Sequence, residues 1–429
     1  MFSSNCEIKP RYAGFPPRSR SFNPDCLATA EPPGRLDPKD GVTRRSLLGA
    51  GISCLGWFAQ ACARQNRTGY PGYMLVAAAG DHAINAVDLN VFRLTHRIEL
   101  HAAPSAVLAS VSTPMLAVAV TAANGTLHLI DTANLSKTGS IRIADEIERT
   151  RLLPDGNQVA AISRSARQLI ITDLTARKVV KRFRLSAVPE EIDVTGADSK
   201  EIRVAVSFGD LGSVEQFNLS AGTSQQQQVS ESVGALRYRK DGQLLFVANY
   251  AGRSITVLDA DLLEVGADLP VAMKPETLCF SADQGQLFVG GTGMDAVAIV
   301  FVYQPLIVEQ TVLAGQSPGA MATSSTPPYY LFVASRTGPE INILSVATRK
   351  VIAVVQAGLG TRQILITPDD QFALVLNEYS GDLAVIRIPT IEANRLRSGL
   401  INRTKSGASL LTMFPVGDQP VAAAITAAS

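Results

Sequence analysis

Chemistry in this chain would have to come from carboxylates, guanidiniums and phenols, because the other usual carriers are scarce. There are four His (His82, His96, His101 and His128), and no His-x-His, His-Glu-x-x-His or Cys-x-x-Cys-His pattern. That removes the common zinc pairs and c-type heme attachment. A calcium loop of the Asp-x-Asp-x-Asp-Gly type is absent as well. Seven residues stand out instead as ligand-binding candidates: Arg164, Glu191, Tyr250, Glu276, Arg336, Arg362 and Tyr379. Guanidiniums grip carboxylate or phosphate with two parallel donors, and Arg336 and Arg362 are the expected anion anchors. Carboxylates such as Glu191 and Glu276 bind cations or move protons. The opposing expectation is that these acids and bases pair with one another and line a wet channel. No catalytic residue, metal ligand or cofactor is assigned. Cys279, between Leu278 and Phe280, reads as a small buried apolar residue rather than a nucleophile.

Residues spread over more than two hundred positions meet only if something regular gathers them, and from residue 73 onward the sequence repeats. The clearest copy runs Leu244-Leu-Phe-Val-Ala-Asn-Tyr250, a Gly turn, Ser254-Ile-Thr-Val-Leu-Asp259, a run near Val265–Val271, then Lys274-Pro-Glu-Thr-Leu-Cys-Phe280. Each run is short, β-branched or alternating, and bounded by turn residues, so each reads as a strand. The central Val recurs as Val76, Val118, Val159, Val204, Val247, Val289, Val333 and Val375. The residue closing the next strand recurs as Asp88, Asp131, Asp173, Asn218, Asp259, Tyr303, Ser345 and Ile388. Both landmarks keep a period near 43 residues, the length of a four-stranded propeller blade.

The expected fold is therefore all-β: a single β-propeller of four-stranded blades, eight by count of the repeats, with seven as the alternative. Pro104, Pro189, Pro275, Pro318 and Pro420 precede the innermost strands, where a missing N–H is harmless. The repeat begins with second, third and fourth strands and ends with an unpartnered inner strand at Pro420–Ile425. Pairing these ends in one composite blade would close the ring and remove its edges. In that frame the seven candidates fall at the channel mouth, either at inner-strand starts or in the loops between second and third strands. An insert between Ile388 and Phe414 carries Arg395, Arg397, Arg403 and Lys405 and reads as a solvated edge loop.

The phrases Phe246-Val-Ala-Asn-Tyr250 and Ile255-Thr-Val-Leu-Asp259, with the Gly-x-x-Pro leads Gly315–Pro318 and Gly417–Pro420, resemble the YVTN-type β-propeller repeat. The resemblance covers roughly residues 70 to 428. It implies the fold and an exported bacterial protein of the lactonase-like and surface-layer-like propeller group. It carries no catalytic residues, because the motif lies in strands and turns.

The N-terminal segment supports export. Arg44 and Arg45 precede an uncharged, weakly apolar run that ends in small residues at Ala63, the layout of a twin-arginine signal. Ala59-Gln-Ala61 and Ala61-Cys-Ala63 both fit the small-x-small cleavage rule, and Cys62 is a candidate for lipidation. The expected organisation is a disordered leader at 1–42, which an alternative start at Val42 would leave untranslated, the signal at 43–63, a linker at 64–72 and the propeller at 73–429. Residues 1–63 hold eight of the 39 Lys and Arg and five of the 38 Asp and Glu, so the remainder carries 31 against 33, a net −2. That is no footprint for nucleic acid. Of five Cys only Cys279 lies beyond the signal, so no internal disulfide is expected in the propeller. The only Trp, Trp57, lies in the signal, which removes the Trp-marked propeller families.

These features predict an exported, non-enzymatic binding or scaffold module of the periplasm or cell envelope, secreted or lipid-anchored as variants. Its partner would be a protein, peptide or small molecule at the channel mouth. A monomer is expected, with membrane contact only through an uncleaved signal or lipid anchor. The alternative is a lactonase-like hydrolase using channel-mouth carboxylates. An electron-transfer partner or cofactor subunit is the third reading.

Overall fold

The computed structural model describes residues 69–109, 116–303, 305–391 and 410–427. The expected leader, the expected signal with Arg44, Arg45 and Cys62, and most of the insert with its four basic residues lie outside the described residues. Among the described residues no helix is long and apolar enough to cross a membrane.

Among the described residues 32 strands form eight antiparallel four-stranded sheets. Numbered as blades 1 to 8, their inner strands are Pro420–Ala427, Ala106–Ala109, Arg149–Leu152, Glu191–Val194, Val233–Tyr238, Lys274–Phe280, Pro318–Thr323 and Thr361–Ile366. Each inner strand contacts the next around the ring, and that of blade 8 contacts that of blade 1. Eight blades, not seven, are present. Blade 1 is composite: Pro420–Ala427 pairs antiparallel with Gly72–Ala78, placing Met74 opposite Ile425 and Val76 opposite Ala423. The sheet edge that either end would expose alone is thereby paired.

The burial pattern explains the repeat. Second and third strands, such as Leu244–Asn249 and Ser254–Asp259, are buried on both faces because a blade lies against each side. Outer strands such as Lys178–Arg184 are mostly exposed. The apolar core is accordingly not one mass. It is eight separate clusters, one in each gap between consecutive blades. Phe246, for instance, packs with Leu278 and Val289 of the following blade. The recurrent Val lies in the second strand and is buried in every blade.

The second landmark also has a physical cause. The Asp or Asn that ends the third strand caps the turn to the outer strand with its side chain. Asp88, Asp131, Asp173, Asn218 and Asp259 each accept backbone N–H bonds from residues two or three positions on, at 2.7 to 3.3 Å. This is the Asx-turn, which supplies acceptors the tight backbone turn lacks. Seven of the eight blades then shift register by one residue between third and outer strands. Such bulges increase the local twist.

The Gly of Gly417-Asp-Gln-Pro420 is required by both conformation and space. Its φ is +129°, and a Cβ there would stand 2.4 Å from Asn85 Nδ2. Asn85 Nδ2 donates to Val416 O at 2.8 Å and to Asp81 Oδ2 at 3.1 Å, tying the end of blade 8 to blade 1.

Candidate functional site

Inner strands enter the ring at one face, called here the upper face. The loops between second and third strands end there too. Side chains alternate along each inner strand, so every second one leaves the interblade cluster for the channel. On blade 3, Thr150 is buried while Arg149 and Arg151 line the channel; on blade 4, Ile192 is buried between Glu191 and Asp193.

These neighbours form a charge ladder. Arg149 Nε lies 3.2 Å from Glu191 Oε2, and Arg151 Nη2 lies 3.2 Å from Glu191 Oε1. One residue pair lower, Arg151 Nε and Arg237 Nη1 reach Asp193 Oδ1 at 3.6 and 3.4 Å, and Asp193 Oδ2 accepts the Tyr238 N–H at 2.9 Å. Burial, then the nearby Arg237, pulls the Arg151 guanidinium below its usual value, while Glu191 and Asp193 oppose this. Arginine stays cationic regardless.

Across the channel Glu276 is held from two sides. Arg336 Nη1 approaches Oε2 at 2.7 Å and Lys274 Nζ approaches Oε1 at 3.4 Å, while Thr292 donates to Oε1 at 3.2 Å. Lys274 Nζ also stands 4.7 Å over the Tyr250 ring. Arg362 differs. Its nearest carboxylate, Glu378, is 3.9 Å away, it donates no hydrogen bond among the described residues, and its side chain is 60% exposed.

Glu191, Glu276, Arg336, Arg362 and Tyr379 line one cavity of about 750 Å³ together with Arg149, Arg151 and Glu378. Five of the seven sequence candidates therefore converge. Arg164 and Tyr250 do not line it. Arg164 is turned to Glu190 at 3.7 Å and Glu148 at 3.9 Å. Tyr250 lies over Gly234, where a Cβ would be 1.8 Å from its ring, and its oxygen accepts the Ala235 N–H at 3.3 Å. Burial, as the main cause, raises its phenol. Arg336 is an anion anchor only if Glu276 releases it; the pairing expected as the opposing reading is realised there. A second cavity of about 430 Å³ adjoins the first, sharing Arg149, Arg151 and Arg362.

Arg151, Asp193 and Arg237 were not singled out by sequence reasoning. Their signal was the i, i+2 alternation on inner strands, Arg149-x-Arg151 and Glu191-x-Asp193. Gly315-Gln-Ser-Pro-Gly319 spells Gly-x-Ser-x-Gly. Ser317 has φ +45°, and its N–H donates to Asp295 Oδ1 at 2.9 Å. It stands in a turn leading into a strand, not in the strand-to-helix turn that makes such a Ser a nucleophile.

None of the four His lines either cavity. His128 is buried in the third strand of blade 2, between Thr121 Oγ1 at 3.2 Å and Ser140 Oγ at 3.1 Å, and burial lowers it to about 4. Burial pushes the Cys279 thiol up to about 11, which leaves little thiolate at neutral pH. Among the described residues no three of His, Cys, Asp or Glu gather as metal ligands.

No family model and no curated protein matches the sequence. Solved structures do share the architecture. The dihydro-heme d1 dehydrogenase NirN, in complex with DHE, is similar at TM-score 0.67 and 15% identity, over 82% of this chain and 75% of that one. The hydrazine synthase of Kuenenia stuttgartiensis is similar at 0.52 and 15%, over 66% and 95%. A functionally unknown protein from Desulfotomaculum acetoxidans is similar at 0.55 and 13%, over 73% and 99%. At these identities the likeness establishes the fold alone.

Proposed function

We propose that this chain is an exported, non-enzymatic β-propeller, a binding or scaffold module of the periplasm or cell envelope, whose channel mouth receives a small carboxylate- or phosphate-bearing ligand. The observation that carries this is Arg362. It is an exposed guanidinium in the wall of two adjoining cavities, and it makes no hydrogen bond among the described residues. A guanidinium presents five N–H donors in a fixed fork suited to carboxylate or phosphate. Arg149 stands in the same wall and, among the described residues, turns only Nε and Nη1 to protein acceptors. A cavity of about 750 Å³ lies within the range of small-molecule sites, ~300–1,000 Å³. The twin-arginine signal and the likeness to YVTN-type repeats support the exported setting.

The hydrolase reading is less well served. Glu191 is held by Arg149 and Arg151, and Glu276 by Arg336 and Lys274. Both carboxylates already face cations where a hydrolytic water or metal would need them.

Calorimetric titration with citrate and inorganic phosphate tests the proposal. Binding is expected, with Arg362→Gln weakening it about tenfold or more, as for loss of a charged hydrogen bond. Absence of binding by the wild-type protein, or unchanged affinity in the variant, would overturn the anion reading. Lactone hydrolysis lost in Glu276→Gln would replace it with the hydrolase.

A further inference from the structure

The two cavities that meet at Arg362 are chemically unlike. The larger one is walled by arginines and glutamates. The smaller one, about 430 Å³, is walled on blades 1 and 2 mainly by Ala79, Pro104, Ala106, Val120, Ala122 and Val421, with Ser105 the polar residue there, and the carboxylate in its lining, Glu148, stands at the seam 3.4 Å from Arg149 Nη1. Arg149, Arg151 and Arg362 belong to both walls and form the seam between them. The inner strand of blade 1 contributes Val421 to this surface and that of blade 2 contributes Ala106, both apolar. Blades 3 and 4 instead present Arg149, Arg151, Glu191 and Asp193 at the corresponding places.

Apolar area on one side, and on the other the Arg362 donors and Arg149 Nη2, which meet no hydrogen-bond acceptor among the described residues, define the shape of an occupant. Resting on the anion reading above, we infer that the ligand is an amphipathic carboxylate. Its anionic group lies on Arg362 and Arg149, and its apolar body lies in the lobe of blades 1 and 2. A purely hydrophilic anion would leave that lobe filled only with water and would gain nothing from it. A cationic amphiphile would place its charge against the arginine seam.

A series of straight-chain carboxylates from butanoate to octanoate, with citrate and decyltrimethylammonium as comparisons, separates these cases by calorimetry on the full chain. Each methylene entering an apolar lobe should tighten binding roughly fourfold. Ala106→Phe, which fills the lobe, should flatten that dependence while leaving citrate affinity within about twofold of wild type. Should this variant fail to fold, Ala123→Asp, on an exposed turn at the rim of the lobe, should weaken octanoate at least tenfold more than citrate. Arg362→Gln should weaken octanoate and citrate alike. Citrate binding without any chain-length dependence would overturn this inference and leave the anion reading standing. Failure of every anion to bind would remove both. Decyltrimethylammonium binding as tightly as octanoate would also overturn it.

Discussion

Lowering the pH from 7 to 5 should weaken the ring through His128. Its imidazole is buried in blade 2, and burial, with lesser contributions from Lys137 and His101, brings it to about 4 in the folded protein against 6.5 as the unperturbed value. The unfolded chain therefore takes up the proton first as the pH falls. Between those two values the unfolded state binds more protons, and stability declines with acidification. Above pH 6.5 the residue is neutral in both states and contributes no slope. The loss is about 2 kcal/mol at pH 5 and about 3 kcal/mol near pH 4, from a folded value of about 4 against 6.5 unfolded. Urea unfolding followed by far-ultraviolet circular dichroism, at half-unit steps from pH 7.5 to 4, measures it. His128→Gln keeps an amide donor and acceptor near Thr121 and Ser140 but cannot titrate, so the carboxylates common to both proteins cancel in the difference. The wild-type curve should fall below the variant's curve by these amounts relative to their offset at pH 7.5. Parallel curves, or an imidazole seen by NMR to titrate near 6.5, would refute the argument.

Glu276→Gln should release Arg336 and tighten citrate binding several-fold, read by calorimetry; a weaker complex would show that Glu276 itself orders the site. Ala423→Asp puts a carboxylate at a buried position of the closing strand, opposite Val76, and should cost about 3 kcal/mol or more in urea unfolding. Replacing Arg44 and Arg45 together by Lys should retain the protein in the cytoplasm, as fractionation and immunoblotting would reveal.

Much of the architecture was legible because a blade is a local object. Its strands follow one another in sequence, so Val247 and Asp259 carry their own signal in each repeat. Closure was legible from phase alone, since three strands at one end lacked a partner that Pro420–Ile425 could supply. The site was less legible because it joins different blades. Even so, Arg149 and Glu191 stand 42 positions apart, and Asp193 and Arg237 stand 44 apart. The period that counts blades also sets inner-strand neighbours side by side, and that use of it would have found Arg151, Asp193 and Arg237. Nothing in the local sequence marks Tyr250 as folding over Gly234, or Arg336 as turned to Glu276. Those choices follow from space left by glycines and from charges on other blades. The apolar lobe was hidden for the same reason, since Ala106 and Val421 lie at opposite ends of the chain.

The composite blade also determines how the molecule can be handled. Gly72 pairs with Ala427 at the end of blade 1 away from Ala78 and Pro420, hence on the face opposite the arginine-lined mouth. A tag, linker or solid support joined through either of these strand ends would hold the ring from behind. Immobilised in this way, every copy would present Arg362 and its two cavities to solution, so surface-based binding measurements would sample one orientation.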